Sequence, residues 1–187
     1  YTTEQVWVTS KDGTKVPAMV VHRKDVKLDG NNPVFLSAYG GINSGISPSY
    51  HGFYAPLLNR GVIIVQAGIR GGDEYGEKWH EAGMLANKQN CFDDFNSCAE
   101  WLIKEKYTTP DKIVAQGGSN GGLLMGGIAV QRPDLYKAIV CAVPLLDMLR
   151  FHKFLIARYW IPEYGCADND ADFRWLLEYS PYQNLRI

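Results

Sequence analysis

The chain has 187 residues, with 19 Lys and Arg against 20 Asp and Glu, a net charge of −1, and 46% hydrophobic against 21% charged residues. That length suits one domain with a proper core, and the composition is that of an ordinary globular protein. The near-neutral balance leaves no electrostatic footprint for nucleic acid or an anionic membrane surface, and no run approaches the roughly 18 consecutive apolar residues of a membrane helix.

Residues 4–9 and 15–22 alternate as strands do, and Lys11-Asp12-Gly13-Thr14 between them is a type I or I′ turn sequence, so an antiparallel hairpin is predicted. Asp29 to Pro33 is a loop cluster. Val34 to Tyr39 is a short apolar run suited to a strand covered on both faces, and the glycine-rich Gly40-Gly41-Ile42-Asn43-Ser44-Gly45 follows at once. A helix is expected over 51–59 and another buried strand over Val62 to Ala67. The segment 70–90, polar, aromatic and glycine-bearing, reads as a long irregular loop.

Phe92 to Tyr107 has helical periodicity, with Phe92, Phe95, Ala99, Leu102 and Ile103 on one stripe and Asp93 and Asp94 in the first turn. A strand over Lys112 to Gln116, a helix ending before Pro133, a strand over Ala138 to Val143 and helical segments in 146–180 complete the pattern. Cys91, Cys98, Cys141 and Cys166 form no C-x-x-C pair and no metal-ligand spacing with the histidines, and Cys98 and Cys141 are expected as buried reduced thiols. The sequence starts at Tyr1 without Met or a signal-peptide pattern and stops at Ile187, which reads as a piece of a longer protein.

Gly117-Gly118-Ser119-Asn120-Gly121-Gly122 carries chemistry. It contains G-x-S-x-G between a strand and a helix, the setting of a nucleophile elbow, in which a sharp turn projects the serine hydroxyl above a helix N-terminus. The same pattern also describes an ordinary turn with a capping serine, and glycine-rich turns after strands also hold phosphates. Strands alternating with helices behind an antiparallel hairpin predict an α/β domain with a mainly parallel sheet, of α/β-hydrolase type, truncated before the last strands. A serine nucleophile needs a base and a group that orients it, in the hydrolase chain order serine, acid, histidine. His22, His51 and His80 precede Ser119; His152 follows it, with Asp134 and Asp147 between, but no later strand end is left to present them. His152 beside Arg150 and Lys153 therefore reads as a helix-surface or interface histidine rather than as the base, and the chain carries the nucleophile without its base.

The motifs in order resemble the catalytic domain of the prolyl oligopeptidase family. They are Tyr39-Gly40-Gly41, Arg70-Gly71-Gly72-Asp73-Glu74-Tyr75-Gly76 with Trp79-His80, Ala86 to Phe95, Gly117 to Met125, Gln131 to Leu135, Asp147 to Lys153, and Asp172 to Pro181. The resemblance covers the whole chain. It implies a serine peptidase of short peptides, cutting after proline, with Ser119 as nucleophile and an oxyanion hole made by the Tyr39 hydroxyl and the Asn120 backbone N–H. It implies a proline pocket at Trp160, with Tyr164, Ile156 and Leu145 lining it and Ile42 where the family often has phenylalanine. It also implies that residues 1–187 are a partial catalytic domain. The β-propeller before it, and the piece with the catalytic Asp and His after it, would lie outside the chain.

The resemblance further implies a cytosolic or periplasmic protein without metal or organic cofactor. The runner-up is an oligopeptidase B-like specificity for basic residues, which would want acids in the pocket; a non-catalytic hydrolase-like binding domain is another class. Taken without the resemblance, Tyr39 is a strand-end packing residue and Tyr159-Trp160 a buried aromatic pair. The 70–80 motif and the Asn87-Lys88-Gln89-Asn90 run are expected to hold loops around the site, with Arg70 pairing Glu74 or Asp73. An open sheet edge in such a piece invites dimerisation.

Overall fold

The computed structural model describes residues 1–47, 49 and 51–185. Its centre is a six-stranded sheet built from β1 (Thr2–Thr9), β2 (Lys15–His22), β3 (Val34–Ser37), β4 (Ile63–Ala67), β5 (Ile113–Gly118) and β6 (Ala138–Ala142). The spatial order is β1-β2-β4-β3-β5-β6. β4, β3, β5 and β6 run parallel, while β1 and β2 pair antiparallel with register Thr2 to His22 through Thr9 to Lys15, and β2 joins β4 antiparallel. The hairpin is thus grafted onto a parallel sheet. β1 alternates exposed and half-buried residues because one face meets water, whereas Val34, Leu36, Ile63, Ile64 and Val65 are almost fully buried because helices cover both faces of the middle strands.

The helices are α1 (Ala55–Asn59), α2 (Glu77–Glu81), α3 (Gln89–Lys104), α4 (Asn120–Gln131), α5 (Ile161–Tyr164), α6 (Asp170–Tyr179) and α7 (Pro181–Asn184). Residues 70–90 are not one irregular loop: α2 and a 3-10 turn at Leu85–Asn87 occupy them. Five residues are too few to display a helical period, so the sequence hides α2. What fixes it is Trp79, whose indole N–H donates to Ile69 O at 3.1 Å.

α3 starts three residues before the expected Phe92 and buries Phe92, Phe95, Cys98, Ala99 and Leu102. The earlier start moves Asp94 out of the first turn and into the core, where it is fully buried. α4 is apolar on most sides because it sits between sheet and neighbouring helices, with Leu123, Leu124, Met125 and Ile128 buried. The 146–180 region is more irregular than expected. Two 3-10 turns, Phe151–Lys153 and Ala157–Trp160, precede α5, and α6 begins where the Asn169 side chain accepts the Ala171 N–H at 2.9 Å.

Among the described residues β1 and β6 are the two edge strands of the sheet, and most positions of β6 are exposed. Cys98 is buried as expected, but Cys141 is exposed because it lies on that edge strand.

Candidate active site

Ser119 occupies the turn between β5 and α4 with φ 57° and ψ −117°. For a residue with a Cβ this is a strained conformation worth about 1–3 kcal/mol, kept only where the surroundings over-determine it. Here they do. The Ser119 N–H donates to Ala142 O on β6 at 3.0 Å, and Ser119 O accepts from Gly122 and Leu123 at 2.9 and 3.1 Å. Gly117 has no room for a side chain, since a Cβ there would collide with Gly121 O. Asn120 is the first residue of α4, so its backbone N–H has no acceptor one turn earlier in the helix and sits at the positive end of the helix dipole. No described residue hydrogen-bonds the Ser119 hydroxyl.

The loop after β3 lies against this turn. Tyr39 is half-buried, and its ring approaches Gly121, where a Cβ would stand 3.7 Å from Tyr39 Cδ2. The Asn120 side chain ties loop to elbow: its amide donates to Tyr39 O at 2.7 Å, and its oxygen accepts the Tyr164 hydroxyl at 2.8 Å. The backbone donor at the start of α4 and the loop that carries Tyr39 therefore lie against the same serine turn.

Pro144 packs against Gly122 at the start of α4, and beside it a cleft of about 340 Å³ is lined by Leu145, Phe151, Phe154, Ile156 and Trp160. Leu145, Ile156 and Trp160, named from the sequence, are thus brought together on an apolar wall. Ile42 and Tyr164 do not line this cleft. Ile42 is on the loop after β3 with φ 54° and 40% of its surface exposed. Tyr164 is wholly buried, its ring edge-on to Phe151, and backs the site through Asn120; burial pushes its phenol far up from the ordinary range.

The model of the prolyl oligopeptidase family matches residues 48–187. The chain belongs to the prolyl oligopeptidase family. It is 48% identical over 189 aligned residues to a prolyl endopeptidase of Dictyostelium discoideum, covering 99% of this chain and 25% of that protein. It is 43% identical to a prolyl endopeptidase of Elizabethkingia miricola, covering all of this chain and 26% of the relative. Among solved structures, one from a study of two prolyl endopeptidases superposes with a TM-score of 0.98 at 54% identity, over 99% of this chain and 27% of that one. A post-proline cleaving enzyme from Rickettsia typhi gives 0.97 at 38% identity, over the same share of each. The six-stranded sheet is accordingly that of an α/β-hydrolase. The chain spans about a quarter of the length of the curated relatives it matches.

Against this family frame, the histidines are as informative as the serine. His22 contacts Arg23 O, His51 contacts Ser49, and His80 contacts Glu77 and Glu163. His152 lies 3.3 Å from Asp168 and stacks edge-on with Phe151. None of these contacts reaches Ser119.

The fold does gather one donor set that the sequence spacing did not signal: His152, Cys166 and Asp168 bring their ligand atoms within 4.8 Å of one another. The exposed Asp168 carboxylate already has the Lys153 ammonium 3.5 Å away as its cation. The 70–80 motif also pairs differently from expectation. Arg70 binds Asp94 and Asp12, while Glu74 accepts the Ile46 N–H and its buried carboxyl is pushed up from the usual range by desolvation.

The residues least legible in the sequence are Glu163 and the Asn120 side chain. A carboxylate beside Tyr164 reads as surface, and only the burial of Glu163 among other polar groups reveals it.

Proposed function

We propose that the protein carrying this chain is a serine peptidase that cleaves short peptides on the carboxyl side of proline, with Ser119 as its nucleophile. The observation that carries this reading is the strained Ser119 at the β5–α4 turn, with the Asn120 N–H and Tyr39 beside it. In the reaction, Ser119 Oγ bonds to the substrate carbonyl carbon and gives its proton to a base. The resulting oxyanion lies between the Tyr39 hydroxyl and the Asn120 N–H, the C–N bond breaks as the base protonates the leaving amine, and water then hydrolyses the acyl-enzyme. Since no described histidine reaches Ser119, the proposal assigns the base and its orienting acid to the part of the protein outside this chain, along with any propeller domain.

A proline ring is compact and apolar and brings no N–H to the pocket, so it suits the wall of Leu145, Ile156 and Trp160. The carboxylates near this wall are not free to favour basic residues: Asp147, on the cleft lining, is already bound by Arg150 and Gln183, and Glu163 is buried and bound to Lys88 and His80. The test is kinetic. Paired peptides differing only in Pro or Arg before the scissile bond should be cleaved by the full-length protein with strong preference for Pro, and Ser119→Ala should abolish turnover. Preference for Arg overturns the specificity, and turnover surviving Ser119→Ala overturns the nucleophile. This chain by itself is expected neither to hydrolyse the peptides nor to label readily with a fluorophosphonate.

A further inference from the structure

The loop that carries Tyr39 has a run of left-handed residues, strained at Ile42 and Asn43. Gly40 has φ 66°, Ile42 has φ 54° and Asn43 has φ 50°. Glycine takes such values freely, but a β-branched isoleucine there is an outlier that relaxes unless something holds it. The holding groups are side chains from three other elements. Asn120 of α4 donates to Tyr39 O at 2.7 Å. Lys88, just before α3, donates its ammonium to Gly40 O at 3.0 Å. Glu163 of α5 accepts the Ile42 N–H on Oε1 at 3.0 Å. Lys88 and Glu163 also bind each other at 3.2 Å, and the second carboxylate oxygen of Glu163 receives His80 Nε2 at 2.8 Å.

The side chains of Lys88 and Glu163 are 2% and 7% exposed. Burying such a pair is costly, and apolar residues of the same size would pack there with equal or better stability. What apolar residues cannot do is bind Gly40 O and the Ile42 N–H at once.

We propose that Lys88 and Glu163 are positioning residues of the proposed peptidase reaction: together they clamp the strained Gly40–Ile42 backbone and so set where the Tyr39 hydroxyl stands relative to Ser119. This rests on the reading of Tyr39 as an oxyanion donor. Neither side chain touches substrate; both act through Tyr39. His80 and Glu77 from α2 complete the charge balance, with Cys91 of α3 and the phenols of Tyr164 and Tyr179 as the other titratable groups around the carboxylate.

The experiment uses the full-length protein and the paired substitution Lys88→Met with Glu163→Leu, which removes both charges together and leaves neither buried alone. The folded variant, verified by an unchanged circular dichroism spectrum, should lose about 10- to 100-fold in kcat on a proline peptide, with KM within about twofold; a lost oxyanion donor costs about 10²–10³. Tyr39→Phe should then cost much less in the variant than in the wild type, because the two act as one unit. The single variant Glu163→Gln, which keeps an acceptor for the Ile42 N–H, should recover part of kcat.

An unchanged kcat in a folded double variant, or a Tyr39→Phe cost equal in both backgrounds, overturns the proposal. If the wild type itself fails to cleave proline peptides, the proposed function falls, and the clamp is decided by amide exchange at Ile42. Acceleration of tenfold or more in the double variant supports it, and unchanged exchange overturns it.

Discussion

Arg70 forks onto Asp94, donating Nε to one carboxylate oxygen at 2.9 Å and Nη2 to the other at 2.6 Å. Asp94 is fully buried in α3 and also accepts the Arg70 backbone N–H at 3.1 Å and the Ser10 hydroxyl at 2.5 Å. The pair links the hairpin turn, the segment after β4 and the helix beneath the sheet. Arg70→Leu leaves a buried carboxylate with no cation, and breaking a buried pair from one side costs about 3–5 kcal/mol. Urea unfolding should report a loss of that size. Replacing both partners by apolar residues should recover much of it.

Asp12 binds the same guanidinium from the half-exposed hairpin turn, and that hydrogen bond holds its carboxyl down at about 2. A depressed folded value means the stabilisation is present above the unfolded pKa of about 3.9 and is lost as the pH falls toward about 2. Asp12→Asn should therefore flatten the stability profile between about pH 4 and 2 and leave its neutral-pH dependence unaltered. Thermal melts across that window give the slope directly.

The Ser119 turn gives a third expectation. Its φ of 57° is open to glycine without strain, so Ser119→Gly should stabilise the fold by about 1 kcal/mol even as it removes the proposed nucleophile. The opposing cost is the added freedom of glycine in the unfolded chain, which makes the gain smaller than the 1–3 kcal/mol of relieved strain. Denaturant midpoints of wild type, Ser119→Ala and Ser119→Gly should rise only for the glycine variant. A glycine variant less stable than the alanine one would mean that the turn is not strained.

These relationships mark where sequence reading succeeds and where it stops. β2 was legible to the residue, and the elbow, α4 and β6 nearly so, because alternation, apolar runs and glycine spacing are local properties. The helix α2 was hidden by its brevity, and the start of α3 by polar residues before Phe92. Pairings across the chain have no local signature at all: Arg70 finds Asp94 and Asp12 instead of its near neighbours Asp73 and Glu74. Tyr164 shows the same limit. The family resemblance puts it at a pocket-lining position, but no local pattern signals that its buried hydroxyl donates to the Asn120 side chain.

His80 supplies a pH-dependent expectation for the loop clamp. Its burial favours the neutral imidazole, but the hydrogen bonds and charges of Glu163 and Glu77 outweigh that, and its pKa is raised above the ordinary histidine value. A raised folded value means that its contribution is fully present below about 6.5, the unfolded value, and fades as the pH rises through the folded one. Amide exchange at Ile42, corrected for intrinsic base catalysis, should then accelerate across that interval. His80→Gln should remove the step without removing the Lys88 contact. A profile unchanged by His80→Gln would uncouple the imidazole from the loop.

The four thiols should separate into two classes. Cys91 and Cys98 are fully buried, and desolvation pushes Cys91 up to about 11 and Cys98 higher still, so both are shielded and short of thiolate. Cys166 is half-buried, while Cys141 is exposed on β6, with its S–H 3.2 Å from Gly122 O and its pKa raised by partial burial. With a chromogenic disulfide at pH 8, this chain should release about two equivalents slowly before unfolding and all four in denaturant. Because Cys141 lies on the outermost strand, its rate also reports whether that edge is open. A rate falling as protein concentration rises, together with a larger sedimentation coefficient, would mean that a second copy covers β6; a rate independent of concentration means the edge stays bare.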